Sequence, residues 1–444
     1  MQTISVVGLG KLGSPLLAVC ASRGFGVIGV DTNENFVRLL NRGKAPVDEP
    51  GLSKLIAKNR RRIRATLDYS DAIYNSDITF IIVPTPSTKS GAFSNKYVLG
   101  VIQNVGKVLA TKNKFHLVVV VSTVMPTSMD AEIVPELERS SGKKVGLDIG
   151  VCYNPEFIAL GSVVANLIRP DFVLIGESDK RSGDILKGFY LRFCMNKPPV
   201  SRMNFVNAEI AKIALNSYIT TKISFANTLS VICEKVPGGD CDLITGAIGQ
   251  DVRVGGRYLK GGLPYGGPCF PRDNRAFSSF AKKVGVWAPI AKASDLVNED
   301  MAFRVAEKLN KILSTKRPKI AILGLAYKAG TDVAEESAGV RIANMLSQSG
   351  FRVSVWDPKA MAKAKDLVLP NIIFAKSMKD SVDGAGVIVI TTPWEDFKKI
   401  GVGAKNSGAK KPVLVDCWRI LDPLKYSKRF LYETLGTGSL RNFR

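Results

Sequence analysis

The stretch Tyr258-Leu-Lys-Gly-Gly-Leu-Pro-Tyr-Gly-Gly-Pro-Cys-Phe-Pro-Arg-Asp273 carries more chemical information than any other part of this chain. It sets one thiol, Cys269, in a frame of Gly and Pro, with Asp273 four residues on and the cations Lys260 and Arg272 on either side. Nearby cations favour the thiolate, the form in which cysteine acts as a nucleophile. Gly266-Gly267 removes side chains next to the sulfur, so that a substrate carbon can approach it. A tight Gly/Pro turn around a buried small residue explains the same residues without any chemistry.

A second chemical signal lies at the N-terminus. Ile4-Ser-Val-Val7 has strand character and runs into Gly8-Leu9-Gly10-Lys11-Leu12-Gly13, followed by the helical Ser14–Ser22. A second β-run, Val27–Val30, ends in Asp31. A glycine turn between strand and helix, with an acid about 20 residues on, is the context of a dinucleotide site. The glycines let the backbone approach a pyrophosphate, and the helix N-terminus offers it unpaired N–H groups. Asp31 would accept hydrogen bonds from a ribose diol and repel a 2′-phosphate, which favours NAD over NADP.

Lys212 and Asn216 form a third pair, four residues apart on a segment of helical period, so both project from one face. Together they could bind a substrate hydroxyl and stabilise an oxyanion; an ordinary surface pair has the same spacing. Ser122-Thr123-Val124 and Asn154-Pro-Glu156-Phe157 each close a strand-like run, where open α/β sheets gather their ligand sites.

The elements that must hold these residues follow from periodicity. Up to about residue 200, β-runs (Ile78–Val83, Leu117–Val121, Ile149–Tyr153, Phe172–Ile175) alternate with helical segments, which predicts a doubly wound parallel sheet. From Asn207 to Glu234 an apolar-periodic segment without Pro or Gly predicts one long helix, apolar enough around its circumference to enter a dimer core. From Pro318 the first pattern returns: strand, glycine turn, helix (Val340–Ser349), strand (Val353–Trp356), then Asp357. Its glycine pattern is degenerate, so this half binds a nucleotide differently or only packs. The fold class is therefore α/β, with two Rossmann-like doubly wound parallel-sheet domains joined by a long central helix and a cleft between them for a ligand. The division expected is 1–200, 201–312 and 313–444.

Composition narrows the function classes. A chain of 444 residues with 45% hydrophobic content has room for several domains with ample cores. It opens directly on a strand-like run, so a signal peptide is not expected, and the apolar run Leu117–Val121 is too short to span a bilayer. Seven cysteines without a Cys-x-x-Cys pair argue against a disulfide framework and a zinc site, and no metal is expected. The one histidine, His116, precedes a buried-looking strand and reads as structural, which leaves proton transfer to Lys, Asp or Glu. The net charge of +23, with a compact cluster at Asn59-Arg-Arg-Arg-Ile-Arg64, admits nucleic-acid binding, but no aromatic-interleaved basic motif accompanies it. A solvated basic surface that steers anionic nucleotides is the preferred reading, with no nucleic-acid and no membrane partner.

Taken together, the chain resembles the UDP-glucose/GDP-mannose dehydrogenase family over essentially its full length. The matching motifs are Gly8–Gly13, Val47-Asp-Glu-Pro-Gly-Leu52, Val83-Pro-Thr85-Pro86, Ser122-Thr-Val124, Asn154–Phe157, Lys212 with Asn216, the Cys269 segment, Gly324-Leu-Ala-Tyr-Lys328, Asp357-Pro358 and Thr392-Pro-Trp394. The resemblance implies a cytoplasmic NAD-dependent enzyme, a homodimer or higher homo-oligomer. Its N-terminal domain binds NAD, its central domain dimerises, and its C-terminal domain holds a nucleotide sugar, here a UDP-hexose. It implies oxidation of the sugar C6 alcohol to a carboxylate by two hydride transfers. Cys269 then corresponds to the nucleophile that forms a thiohemiacetal and a thioester, and Lys212 and Asn216 to the holders of the C6 oxygen. Asp273 would orient Lys212 and its water, and Glu156 and Thr123 would assist proton transfer and hydrolysis. Thr85, Pro86 and Thr123 fall on the cofactor side. Phe157, Arg253, Tyr258, Leu259, Gly266, Lys328 and Arg419 fall on the substrate side.

Three positions depart from the family pattern: Leu160 replaces a second Glu, Glu335 replaces an Arg that helps hold the cofactor phosphates, and Arg272 replaces a Lys. Two other readings follow from the same motifs. One is a two-electron hydroxyacid dehydrogenase of the 6-phosphogluconate type, opposed by the Cys269 segment and the second α/β half. The other is a non-catalytic nucleotide-sugar binder, opposed by the intact Cys269, Lys212, Asn216 and Asp273.

Overall fold

The computed structural model describes residues 2–312, 318–400 and 411–438. The chain divides into two compact units, Met1–Ala214 and Leu215–Arg444, which meet inside the long central helix.

The first unit is built on eight strands: β1 (Thr3–Val7), β2 (Gly26–Val30), β3 (Ile63–Thr66), β4 (Ile78–Ile81), β5 (His116–Val120), β6 (Ile149–Tyr153), β7 (Val173–Glu177) and β8 (Val200–Met203). Their order is β3-β2-β1-β4-β5-β6-β7-β8. β1 pairs parallel with both β2 and β4, so the chain reverses its direction of winding there, and a crevice opens at the C-terminal ends of β1 and β4. Helices cover both faces, which is why strands such as Ile78–Ile81 are apolar at nearly every position and buried throughout. The expected β-runs fall within a residue or two of the observed strands.

One pairing departs from the parallel pattern. β7 runs antiparallel to β6, with Cys152 opposite Glu177 and Tyr153 opposite Gly176. After Tyr153 the chain stays at the same end of the sheet through the helix Val163–Ile168 and re-enters from there, so no crossover is made. That detour holds Asn154–Leu160 at the edge where the cofactor turn lies.

The central helix runs over Phe205–Lys235, two residues earlier and one later than the periodicity predicts. With no Gly or Pro inside, nothing interrupts its backbone hydrogen bonds.

The second unit adds helices Phe270–Lys283 and Pro289–Ile312 and a wholly parallel sheet of order β11-β10-β9-β12-β13-β14. Its strands are β9 (Lys319–Leu323), β10 (Val353–Trp356), β11 (Ile373–Phe374), β12 (Ala385–Ile390), β13 (Val413–Asp416) and β14 (Leu431–Thr434). Ala302, Val305 and Leu309, on one face of the second helix, join Ile320, Ile322, Val387 and Val389 in its core. The helix expected at Val340–Ser349 is observed at Ala338–Gln348.

Candidate active site

The N-terminal glycine turn has the shape a pyrophosphate needs. Gly8 sits at φ +92°, and a Cβ there would lie 2.1 Å from the Ile82 carbonyl oxygen. A Cβ on Gly13 would lie 1.7 Å from the Gly8 carbonyl oxygen, so these two glycines let turn, helix and neighbouring strand close on one another. Gly10 differs: a Cβ there meets nothing within 4 Å, which leaves its backbone open to a ligand. Leu12 precedes the helix Gly13–Ser22 without a side-chain cap, so the first-turn amides carry no side-chain acceptor. Half-buried Asp31 accepts from the Leu9 amide at 2.6 Å and the Asn33 amide at 2.8 Å, which fixes the turn while keeping lone pairs for a diol. Lys11 stands beside the turn, half-buried. The residues present fit NAD.

The next strand ends are tied to each other. Ser122 Oγ donates to the Val83 carbonyl and accepts from the Val83 amide, at 2.7 and 2.8 Å. Buried Thr85 donates to the Thr123 carbonyl at 2.7 Å, and the Pro86 carbonyl accepts from Ser94. Thr123 thus sits on a braced loop, itself half-buried.

Lys212, buried on the central helix, donates to the Glu156 carbonyl at 2.8 Å, and its ammonium lies 4.8 Å from the centre of the Phe157 ring. The Glu156 carboxyl itself turns inward to Tyr190, whose hydroxyl donates to Asn154 Oδ1 at 2.5 Å. Burial pushes the Glu156 carboxyl up to about 7, against the lowering effect of Lys212. An acid with that value can both give and take a proton near neutral pH. Leu160 packs against the core beneath this loop.

Two buried carboxylates that sequence reasoning passed over hold these loops. Glu49, within the Val47–Leu52 motif, accepts from the amides of Gly161 and Val163 at 3.0 and 2.7 Å. Glu209 accepts from those of Thr127 and Met129 at 2.7 and 2.8 Å. Acids at buried positions were the available signal. His116, by contrast, is enclosed between Thr79 at 2.7 Å and Lys112 at 3.0 Å, and burial holds its ring down at about 3.

In the second unit the thiol stands apart from its kind. Cys269 is exposed, whereas Cys20, Cys152, Cys194, Cys233, Cys241 and Cys417 are buried, so the reading of a buried small residue in a turn fails. Cys269 immediately precedes the helix Phe270–Lys283. Asp273, in the first turn, is 1% exposed and accepts from Asn216 Nδ2 at 2.6 Å, with the Arg272 guanidinium 3.3 Å away. A polar stripe along the central helix continues this grip: Ser217 donates to Asn274 Oδ1 at 2.7 Å, and Asn227 accepts from the Gly262 amide at 2.9 Å. Asn274 also donates to the Ala291 carbonyl at 2.8 Å and was missed because its neighbour is the acid.

The glycine pair admits a second loop of the chain. A Cβ on Gly266 would lie 2.2 Å from the Glu336 carbonyl oxygen, and one on Gly267, at φ +80°, 2.6 Å from the Tyr327 ring. The Gly267 amide donates to the Glu335 carbonyl at 3.0 Å. The missing side chains make room for a loop of the C-terminal sheet. The departure at Glu335 therefore contributes its backbone here, while its side chain is exposed.

The remaining substrate-side residues divide. Tyr258, at φ +63°, is exposed and packs edge-on to Phe270, and Leu259 is buried. Lys328 is half-buried beside Tyr327. Arg253 stands on the surface and pairs with Asp251 at 2.6 Å. The Arg419 guanidinium is committed to both oxygens of Asp242 (2.7 Å each), the Leu435 carbonyl (2.7 Å) and the Gly261 carbonyl (2.6 Å). It braces the thiol segment. Of the five non-glycine residues at positive φ among the described residues, Thr127, Tyr258, Glu336 and Arg419 lie on these loops and Lys197 lies elsewhere.

Comparison with known proteins agrees with this geometry. The NAD binding domain of the UDP-glucose/GDP-mannose dehydrogenase family matches residues 2–194, its central domain 206–300 and its UDP binding domain 321–423. The UDP-glucose 6-dehydrogenase AglM of Haloferax volcanii is 34% identical over 397 residues, covering 89% of this chain and 92% of the relative. The GDP-mannose 6-dehydrogenase of Pseudomonas syringae pv. tomato is 34% identical over 411 residues, covering 89% and 92%. A UDP-glucose dehydrogenase structure from the hyperthermophilic archaeon Pyrobaculum islandicum superposes with a TM-score of 0.89 at 31% identity, covering 98% of both chains. With its glycine turn built for NAD and all three domains matched in order, the chain belongs to the UDP-glucose/GDP-mannose dehydrogenase family.

Proposed function

We propose that this nucleotide-sugar 6-dehydrogenase carries out the full four-electron oxidation of a UDP-hexose, UDP-glucose first among candidates, to the uronate. The observation that carries this reading is Cys269: among seven cysteines it alone is exposed, and Asp273, one turn on, is held by Asn216. When bound, NAD would supply the hydride acceptor, one NAD+ for each of the two oxidations. In the first, the C6 hydroxyl loses its proton to a water that Lys212 and Asp273 orient, and C6 becomes an aldehyde. The Cys269 thiolate adds to that carbonyl, forming a C–S bond and an oxyanion that Lys212 and Asn216 stabilise. Loss of the second hydride turns this thiohemiacetal into a thioester. Glu156 and Thr123 help deliver water; the C–S bond breaks, the thiolate leaves and the carboxylate is released. The UDP preference leans on the UDP binding domain match and on the name of the Haloferax relative, with Tyr258, Leu259, Gly266, Lys328 and Arg253 as the residues on the sugar-nucleotide side.

The same reading includes a homodimer. Tyr218, Phe225 and Ile232, seven residues apart on the central helix, are 61%, 52% and 51% exposed, an apolar stripe of the kind a second copy covers. Among the described residues no helix is long and apolar enough to cross a membrane, and a cytoplasmic location is proposed on the family's chemistry.

The test is stoichiometry. NADH is titrated against limiting UDP-glucose, UDP-galactose, UDP-GlcNAc, UDP-ManNAc and GDP-mannose. Two NADH per sugar without free aldehyde are expected. One NADH with released aldehyde would refute the covalent second half, and none with any sugar would leave a binder.

A further inference from the structure

Glu209 is 0% exposed, lies three residues before Lys212 on the central helix, and has no cationic partner among the described residues. A buried carboxylate is costly unless its oxygens are satisfied. Here they are satisfied by backbone alone: the Thr127 amide at 2.7 Å on one oxygen and the Met129 amide at 2.8 Å on the other. These amides begin a helix that opens with a π turn, Met129–Ile133, and continues as Val134–Ser141. Ser128 makes no side-chain cap there, so a carboxylate some eighty residues away in sequence takes the place of a local N-cap. Thr127 is at φ +78°, a conformation that a β-branched residue adopts only under constraint.

The other end of the same loop is Ser122-Thr123, tied to Val83 and Thr85. Thr123 is therefore held between two anchors, one of them a side chain on the helix that carries Lys212. We infer that Glu209 is a positioning residue, which clamps the strained Thr127 turn to the central helix and so sets Thr123 relative to Lys212. The inference builds on the proposed reaction, because it gives the loop a catalytic purpose. Without the carboxylate the turn relaxes toward negative φ and the helix start loses its acceptor.

Glu209→Gln keeps one acceptor oxygen and the side-chain volume but turns an N–H toward the second amide. The expected result is a kcat about tenfold lower with the sugar KM changed less than twofold. Adding Thr127→Gly, which accepts the positive φ without strain, should recover most of that loss. Hydrogen exchange supplies a readout that needs no turnover: amides from 122 to 133 should exchange at least about tenfold faster in Glu209→Gln, with the rest of the first unit unchanged. If the unmodified protein turns over no nucleotide sugar, the proposed reaction fails, while exchange still decides whether Glu209 holds the Thr123 loop. A variant with unchanged kcat, or exchange that rises evenly across the unit, overturns the inference.

Discussion

The two sheets begin alike and diverge at the turn after the first strand. In the N-terminal unit Gly8 and Gly13 close on each other across five residues; in the C-terminal unit Gly324 and Gly339 do so across fifteen, with a Gly339 Cβ falling 2.0 Å from the Gly324 carbonyl oxygen. The ten extra residues include Tyr327, Lys328, Glu335 and Glu336, and they pack on the Gly266-Gly267 pair beside Cys269. The acids that follow the second strands diverge as well. Asp31 is half-buried and holds two amides. Asp357 is 1% exposed and accepts from the amides of Leu325, Ala326, Lys359 and Ala360 and from Trp394 Nε1. One acid retains capacity for a ligand; the other is consumed in closing its own turn. A shared topology thus serves as a cofactor cradle in one place and as a support for the thiol segment in the other.

The sharpest break in this comparison comes from the thiol that the second turn supports. Cys269→Ala should lower carboxylate formation by roughly a thousandfold or more while leaving nucleotide-sugar binding intact. Turnover within tenfold of the unmodified enzyme would remove Cys269 from the mechanism. Gly267→Ala tests the support itself: its Cβ collides with the Tyr327 ring at a backbone angle alanine resists, so kcat should fall about a hundredfold with Cys269 still present.

Next in size is the exchange of acids. Asp357→Ala leaves five donors without their acceptor and should destabilise the protein by about 3 kcal/mol in denaturant unfolding. Asp31→Ser should cost about 1 kcal/mol or less but narrow the preference for NAD over NADP by roughly tenfold, measured as a ratio of kcat/KM. If Asp357 governed cofactor choice, or Asp31 governed stability, the two turns would have been assigned the wrong way round.

The smallest effect concerns pH. Burial raises the Glu156 carboxyl from 4.5 to about 7, so the folded state favours its protonated form. Its contribution is present in full below about 4.5 and is lost as pH rises through 7. His116 acts with the opposite sign: its folded value of about 3 lies below the ordinary 6.5, so its contribution is present above 6.5 and is lost as pH falls toward 3. Unfolding of the unmodified protein compared with Glu156→Gln between pH 4.5 and 8 isolates the Glu156 share. The difference should shift against the unmodified protein as pH rises to 7 and then level off. A difference independent of pH would mean that the carboxyl is solvated.

Much of this arrangement was legible in the chain alone, because it depends on residues close in sequence. Strand positions follow from short continuous apolar runs, helices from a period of 3.6, and the long helix from a run without Gly or Pro. The cofactor turn was readable because Gly8, Gly10 and Gly13 act within one strand–turn–helix unit, and Cys269 stood out by its Gly/Pro frame. Tertiary structure alone decided which partners lie far along the chain. Asn216 meets Asp273 across 57 residues, and Glu209 meets Met129 across 80. The glycine pair beside Cys269 could suggest open space until Tyr327 and Glu336 were placed against it. β7 could be taken as parallel until its pairing with β6 was seen. Sequence records what each residue is able to do locally; which capacity is used depends on the atoms that folding brings within 3 Å, and a buried carboxylate or a missing Cβ has no meaning before those neighbours exist.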